Sequence, residues 1–358
     1  MDSLSTQEIN RLLDEFADPE TGRGLVREGQ VRAITVHDRS LQVEVGFSRL
    51  VAPLWADLAR RLEGHLSSRL GNQWTIRVNV AEHPRPAQKL EPIGLAAKAV
   101  VAIGSGKGGV GKSTVTVLLA YGLRRAGAHV AILDADVFGP SIPHLLGASD
   151  RPTVVDNKII PVLVNDVPIL SMGLLVPERE AVIWRGPMVH NVLMQFLRDT
   201  NWGELDYLLV DMPPGTGDVA ISLSQLVPLT GAVVVCTPQD LALLDAVKAV
   251  TMFRRVNVEV LGMVENMSYF ICPGCGSRHE IFGHGGARSK ATELGIPFLG
   301  EIPLHVDIRV RGDSGQVLAC LDDPRVSPAI ENLTKRLVEE VINERRRRPV
   351  LRQLTVIH

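Results

Sequence analysis

The chain is short of cysteine: only Cys236, Cys272, Cys275 and Cys320 occur in 358 residues, which excludes a disulfide framework. It also lacks long apolar runs. None approaches the roughly 20 residues that a membrane-spanning helix needs. The opening Met1-Asp2-Ser3-Leu4-Ser5-Thr6-Gln7-Glu8 has neither the basic nor the apolar stretch of a signal peptide. A cytoplasmic protein with no membrane partner is therefore the expectation. Net charge is only −2, so no bulk attraction to nucleic acid is expected. Repeats and low-complexity tracts are absent. Lysine is scarce, with 8 against 30 arginines, yet two of the 8 fall in one short loop, at Lys107 and Lys112. A compact ammonium on a flexible stem serves there rather than a planar guanidinium.

What is present divides into two regions. Hydrophobic residues make up 45% of the chain, enough for one large and one small core. Residues 1–82 read as a small α+β domain. Ser5 and Glu8 have capping-box spacing, and Ile9, Leu12, Leu13 and Phe16 then lie on one helical face. Asp18-Pro19-Glu20 breaks that helix. Val31–Val36 and Leu41–Val45 alternate as strands across a turn at 37–40, a second helix covers Leu54–Arg69, and Thr75–Val80 is a third strand. Residues 83–97 have linker composition. From residue 98 to 346 strands and helices alternate, which predicts a doubly wound, mostly parallel α/β sheet. Its strands are expected at Val100–Ile103, Val130–Leu133, Leu208–Val210, Ala232–Val235, Val258–Val264 and Phe298–Gly300. The last helix, near Pro328–Arg345, places Ile330, Leu333, Leu337 and Val341 on one face, and residues 347–358 form a tail. Arg345–Arg348 suit a solvated helix end, where cations complement the dipole.

Gly106-Lys107-Gly108-Gly109-Val110-Gly111-Lys112-Ser113-Thr114 lies between an apolar strand and a helix and matches the Walker A pattern. Its glycines let backbone N–H groups turn inward around phosphate oxygens, and the helix adds its positive dipole end. Lys112 is expected to reach the β- and γ-phosphates of a nucleotide, and the Ser113 hydroxyl to bind Mg²⁺. Asp134 and Asp136 lie at a strand's carboxyl end, where open α/β sheets take ligands. Asp211 ends a Walker B-like strand and is expected to hold a Mg²⁺-bound water. Pro213-Pro214-Gly215-Thr216-Gly217-Asp218 then has the composition of a switch loop sensing γ-phosphate, with Asp218 equally suited to cap the helix that follows. There is no guanine signature. Asn266, at a strand end, is read either as an adenine contact or as an ordinary turn asparagine. Cys272-Pro273-Gly274-Cys275 allows zinc, a redox pair or an iron–sulfur ligand set. Cys236 and Cys320 sit in apolar surroundings and are expected in the core.

With two lysines, the loop resembles that of the deviant-Walker ATPases, the group of nitrogenase iron protein, MinD and ParA. Asp134–Ser141, Trp184-Arg185-Gly186-Pro187-Met188, Asp211–Asp218 and the Glu265-Asn266-Met267-Ser268 lead to the cysteine pair resemble, in that order, the Mrp-type (ApbC-type) iron–sulfur cluster carrier ATPases. The resemblance covers about residues 98–320. It implies that Lys107 crosses to the partner's phosphates in a nucleotide-bound homodimer, that Asp134 supports Mg²⁺, and that Asp136 orients or activates the attacking water. It also implies an ATP-driven carrier that hands its cluster to apo iron–sulfur proteins. A four-iron cubane wants four thiolates. One chain offers a single close pair, so a [4Fe–4S] cluster would bridge two copies across a two-fold axis. Residues 1–82 resemble the iron–sulfur assembly domain often fused ahead of such ATPases, but Arg49–Leu54 lacks the cysteine many members carry there. Two rival readings are a MinD/ParA-like positioning switch, and an ATPase stabilised by zinc on Cys272, Cys275, His279 and His284.

Overall fold

The computed structural model describes residues 5–90, 93–137, 139–175 and 186–348, without the side chains at 186, 187, 218, 219, 223 and 226. Phe138, Trp184, Arg185 and the tail from residue 349 onward thus lie outside the described residues, as does the Asp218 side chain. The chain divides into two compact units, Met1–Arg85 with Val341–His358, and Pro86–Glu340.

In the first unit α1 (Thr6–Asp14) starts at Ser5, whose hydroxyl accepts from the Glu8 amide at 3.2 Å. Ile9, Leu12 and Leu13 form its buried face. The strands β1 (Val31–His37), β2 (Ser40–Phe47) and β3 (Thr75–Glu82) make a three-stranded sheet in that order, β1–β2 antiparallel and β2–β3 parallel. The parallel pair is connected by a 3₁₀ turn at Arg49–Leu54 and by α2 (Trp55–Leu70), which buries Leu58, Leu62 and Leu66. Asp18 is buried and works structurally. It accepts from the amides of Glu20 and Thr21 at 3.0 and 2.8 Å and from Gln30 Nε2 at 2.7 Å. Arg85 gathers Asp18, Glu20 and Glu28 at 3.0–3.4 Å.

In the second unit the stretch read as a linker contributes to the sheet: β4 (Lys89–Leu90) pairs antiparallel with β5 (Leu95–Ser105), which begins well before Val100. Then follow α3 (Lys112–Arg125), β6 (Val130–Asp134), α4 (Ile142–Leu146), a small hairpin β7 (Thr153–Val155) with β8 (Lys158–Ile160), β9 (Val162–Val164) and β10 (Val167–Ser171). The chain continues through α5 (Gly186–Asp199), β11 (Leu205–Asp211), α6 (Asp218–Leu226), β12 (Gly231–Cys236), α7 (Asp240–Arg255) and β13 (Val260–Glu265). A second hairpin, β14 (Phe270–Ile271) with β15 (Arg278–His279), precedes α8 (Gly286–Leu294), β16 (Phe298–Glu301), α9 (Val306–Asp313) and α10 (Ser327–Arg347).

Nine strands form the main sheet in the order β16-β13-β12-β5-β11-β6-β10-β9, with β4 beside β5. The seven strands from β16 to β10 pair in parallel. They are apolar on both faces because both are covered. Val100 and Ala102, Ala131 and Leu133, and Leu208 and Val210 join side chains of α5, α7 and α8 in one continuous core. Val101, Ile103, Ile132 and Leu209 are equally buried but face the other way, the side on which α3 packs. β9, β10 and both small hairpins went unpredicted: β9 and the hairpin strands have only two or three residues, and Pro168 interrupts the alternation of β10. Chain order reverses at β5, placing the loop after it at a topological switch point.

Gly104 marks where the sheet core reaches the site: a Cβ there would lie 2.9 Å from the ring of Phe253, itself fully buried in α7. Phe253→Ala should therefore cost about 3–5 kcal/mol through the cavity beneath β5. Urea unfolding of the full chain measures it; a loss below about 1 kcal/mol, the level of a well-tolerated core swap, would contradict this packing.

Candidate functional site

The loop after β5 wraps a cavity of about 290 Å³ lined by Lys107, Gly108, Lys112, Ser113, Asp136 and Pro214 among others. Two glycines are required by close approach. A Cβ on Gly106 would stand 2.0 Å from the Asp245 carbonyl of α7, and one on Gly111 would stand 2.2 Å from Asn266 Nδ2. Gly111 is also left-handed, with φ +79°, and is followed directly by α3. The first-turn N–H groups of α3 receive no side-chain cap. An anion is their natural partner.

Three parallel strand ends bring the acids together. Asp211 is paired in register with Asp134 on β6, and Asp134 with Ser171 on β10. Lys112, only 6% exposed, donates from Nζ to Asp211 Oδ2 at 2.7 Å and lies 3.8 Å from Asp136. Ser113 Oγ donates to the same Asp211 oxygen at 2.5 Å, and Thr116 Oγ1 to the other at 2.7 Å. Asp134 accepts from Ser171 Oγ at 2.9 Å and from the Asp136 amide at 3.2 Å. Burial, and then the charge of Asp211, raise the Asp134 carboxyl above the usual carboxylate range. Burial also raises Asp136, against the opposing pull of Lys112. Three carboxylates thus face one buried ammonium. Hard oxygen donors, a hydroxyl beside a carboxylate and an excess of negative charge suit a divalent cation such as Mg²⁺. Lys107 is half-buried at the cavity rim, with its carbonyl accepting from Ser105 Oγ at 2.9 Å. Gly215, at φ +88°, donates its amide to the Ser105 carbonyl at 2.9 Å, so the loop after β11 leans on the phosphate loop.

Asn266 is buried at the end of β13, and its Nδ2 donates to the Val110 carbonyl at 2.8 Å. The side chain is therefore committed to the phosphate loop through one amide hydrogen. Thr116 and Ser171, which tie down the two buried acids, were missed by reading motifs. A hydroxyl four residues after Lys112 on the same helical face was the available signal for Thr116; Ser171 gave none, its strand being too short to foresee.

The cysteine pair lies at a separate station on the tip of the β14–β15 hairpin. Cys272 is half-buried and Cys275 exposed, whereas Cys236 and Cys320 are buried as expected. The Cys272 amide donates to the Ser277 carbonyl at 2.9 Å, and the Gly276 amide to the Cys272 carbonyl at 2.8 Å, closing a tight turn. Hydrogen bonds from Ser277, and then from Cys272, lower the Cys275 thiol below its ordinary value. Burial raises Cys236. Cys272, Cys275, His279 and His284 do not form a four-ligand zinc centre. His284 Nδ1 instead meets Ser268 Oγ at 3.1 Å and Arg278 at 3.0 Å. Among the described residues, one metal-compatible group of three appears, His305, Asp307 and Asp323, and Arg325 occupies its two carboxylates at 2.7–2.8 Å. No described helix is long and apolar enough to cross a membrane.

Comparison with known proteins shows the family. Residues 96–341 match the family model described as NUBPL iron-transfer P-loop NTPase, and residues 6–80 that of an iron–sulfur cluster assembly protein. The chain is 45% identical over 307 residues to the iron–sulfur cluster carrier protein of Deinococcus radiodurans, covering 85% of this chain and 86% of that one. It is 46% identical over 253 residues to the iron–sulfur cluster transfer protein NUBPL of Dictyostelium discoideum, covering 69% and 78%. Among solved structures it is similar to a nucleotide-binding protein of Archaeoglobus fulgidus in complex with ADP. That match has 43% identity and a TM-score of 0.56, and covers 62% of this chain and 88% of that one. The MinD cell division protein of Aquifex aeolicus shares the fold at 21% identity and a TM-score of 0.50, over 67% of this chain and 96% of its own. With its phosphate loop, its acidic strand ends and its exposed cysteine hairpin, the chain belongs to the NUBPL-type iron-transfer P-loop NTPases, the iron–sulfur cluster carrier family.

Proposed function

We propose that the protein binds Mg-ATP, hydrolyses it slowly, and uses the cycle to load or release an iron–sulfur cluster that it delivers to apo-proteins. The observation that carries the reading is the pairing of two unlike stations in one unit: a buried cation-hungry pocket under a phosphate loop, and an exposed thiol pair on a small hairpin.

In this reading the Gly106–Thr114 backbone cradles the phosphates and Lys112 turns from Asp211 to the β- and γ-phosphates. Ser113, Asp211 and Asp134 would hold Mg²⁺. Bound there, the ion would neutralise charge on the phosphate oxygens. Asp136 orients a water toward the γ-phosphorus. The new phosphorus–oxygen bond forms as the bond to the bridging oxygen breaks, giving ADP and phosphate. Lys107 acts on the partner's phosphates in a homodimer, as an arginine finger does. Asn266 keeps one amide hydrogen and its carbonyl for adenine, and Gly215 carries the γ-phosphate response. Cys272 and Cys275 of two copies hold a [4Fe–4S] cluster as cargo. A surface-exposed cluster on a short hairpin suits a carrier, because its ligands can be reached by a recipient.

Lys112→Ala should weaken ATP binding on the order of 100-fold, the scale of truncating a buried charge pair. Lys107→Ala should bind ATP normally but lose turnover by on the order of 10³-fold. An equal mixture of Lys107→Ala and Asp136→Ala proteins should recover about a quarter of the parental activity, because one composite site per mixed dimer is intact. Titration with a fluorescent ATP analogue and phosphate release read these effects. Unchanged affinity in Lys112→Ala refutes the site, and no recovery in proven mixed dimers refutes the action across the dimer.

Anaerobic reconstitution with iron and sulfide should give about four irons per dimer and a charge-transfer band in the visible. Cys272→Ala and Cys275→Ala should each abolish the band while ATP binding persists. A band retained by the double variant, or a full cluster on a proven monomer, overturns the bridging assignment.

A further inference from the structure

We infer that Glu265 is a positioning residue that clamps the root of the cysteine hairpin and couples it to the phosphate loop. This rests on the carrier reading above for what the hairpin holds. Glu265 is the last residue of β13, is fully buried, and has no part in nucleotide chemistry. A carboxylate taken out of water is costly unless its oxygens are satisfied, so its partners report what it is for. Oε1 accepts from Ser268 Oγ at 2.6 Å and from the Gly285 amide at 3.0 Å; Oε2 accepts from the Ala287 amide at 2.8 Å. These donors flank the cysteines in sequence. The chain leaves the sheet after Glu265, turns at Ser268, runs out through Cys272 and Cys275, and comes back to Glu265 at Gly285, the cap of α8. One buried side chain therefore closes both ends of the excursion.

The return end is also a helix start. α8 begins at Gly286, and its cap, Gly285, has no side chain to satisfy the first-turn amides. Glu265 supplies that acceptor from another element, and its charge complements the helix dipole. The hairpin itself is fastened to the same knot. Arg278 on β15 reaches His284 Nδ1 at 3.0 Å and Glu301 at 3.5 Å, and its guanidinium lies 3.9 Å from the centre of the Tyr269 ring. Ser268 Oγ touches His284 Nδ1 at 3.1 Å and Glu301 Oε2 at 3.4 Å.

On its other side the knot adjoins the nucleotide site within one residue. Asn266, next after Glu265, holds the Val110 carbonyl, and Gly111 packs too closely against it for a Cβ. Met267 then takes a left-handed conformation at φ +56°, which fixes the turn sharply for a non-glycine residue. Closing of the phosphate loop around ATP displaces the Val110–Gly111 backbone. The displacement reaches the Glu265 clamp through a single rigid turn, and hence both ends of the hairpin. ATP then alters cysteine accessibility by binding one hairpin arrangement better than the other.

The test uses the metal-free full chain and the labelling rates of Cys272 and Cys275 by iodoacetamide, with and without a non-hydrolysable Mg-ATP analogue, resolved by peptide mass spectrometry. In the parent, nucleotide should change the rates several-fold. Glu265→Gln and Ser268→Ala should bind the analogue as the parent does yet lose that change, and Ser268→Thr, which keeps the hydroxyl, should retain it. Ser268→Ala preserves the carboxylate and both backbone bonds, so it decides the matter where Glu265→Gln does not fold. Rates indifferent to nucleotide in the parent, or a full response in Ser268→Ala, overturn the coupling. In a second arm, iron release to a chelator from the reconstituted protein should show the same pattern. A parent that takes up no iron defeats the carrier reading alone, because the thiol arm still decides this inference.

Discussion

In-register pairing at the carboxyl edge of a parallel sheet is the constraint on which both sites depend. Parallel strands of near-equal reach end together, so residues that follow the last apolar position fall into a row. On one side of β5 that row holds Asp211, Asp134 and Ser171; on the other it holds Cys236, Glu265 and Glu301. The apolar sheet below excludes water from their bases, which strengthens every charge interaction among them. A slip of one residue in β6 would turn Asp134 away from the nucleotide station, and one in β13 would turn Glu265 away from the hairpin.

The two halves of the row solve the burial of charge differently. On the nucleotide side the balance is incomplete. Asp134, Asp136 and Asp211 share Lys112 and hydroxyls, and Asp134 is driven toward its neutral form. That imbalance favours a cation and its phosphate companion. On the hairpin side Glu265 is satisfied by one hydroxyl and two backbone amides, with His284 3.8 Å away. A satisfied buried group holds geometry rather than attracting a ligand. In the proposed reading the first site is completed by ATP and Mg²⁺, and the second holds the cysteine excursion at a defined angle.

Much of this was legible before any coordinates. The main helices and long strands follow from short continuous apolar runs and from glycine punctuation, and the Walker loop carries its own context. Leu208–Val210 and Ala232–Val235 are continuous apolar runs because both sheet faces are covered. The small strands were not legible: β10, which supplies Ser171, has only five residues, and its alternation is interrupted by Pro168. Contacts between distant segments were also out of reach. No spacing rule connects Glu265 to Ala287, or Asn266 to Val110. Glu265 is a case in point: as a letter it belongs to a motif leading toward the cysteines, and only its three donors show that it closes their loop.

If nucleotide and cluster act on one another through this edge, their binding free energies must be linked reciprocally. The most direct measurement is the ATP affinity of the same protein in its cluster-loaded and metal-free forms, by anaerobic calorimetry in one buffer. The account predicts dissociation constants that differ several-fold, with the same ratio recovered when cluster retention is measured with and without ATP. Equal ATP affinities in the two forms would contradict it.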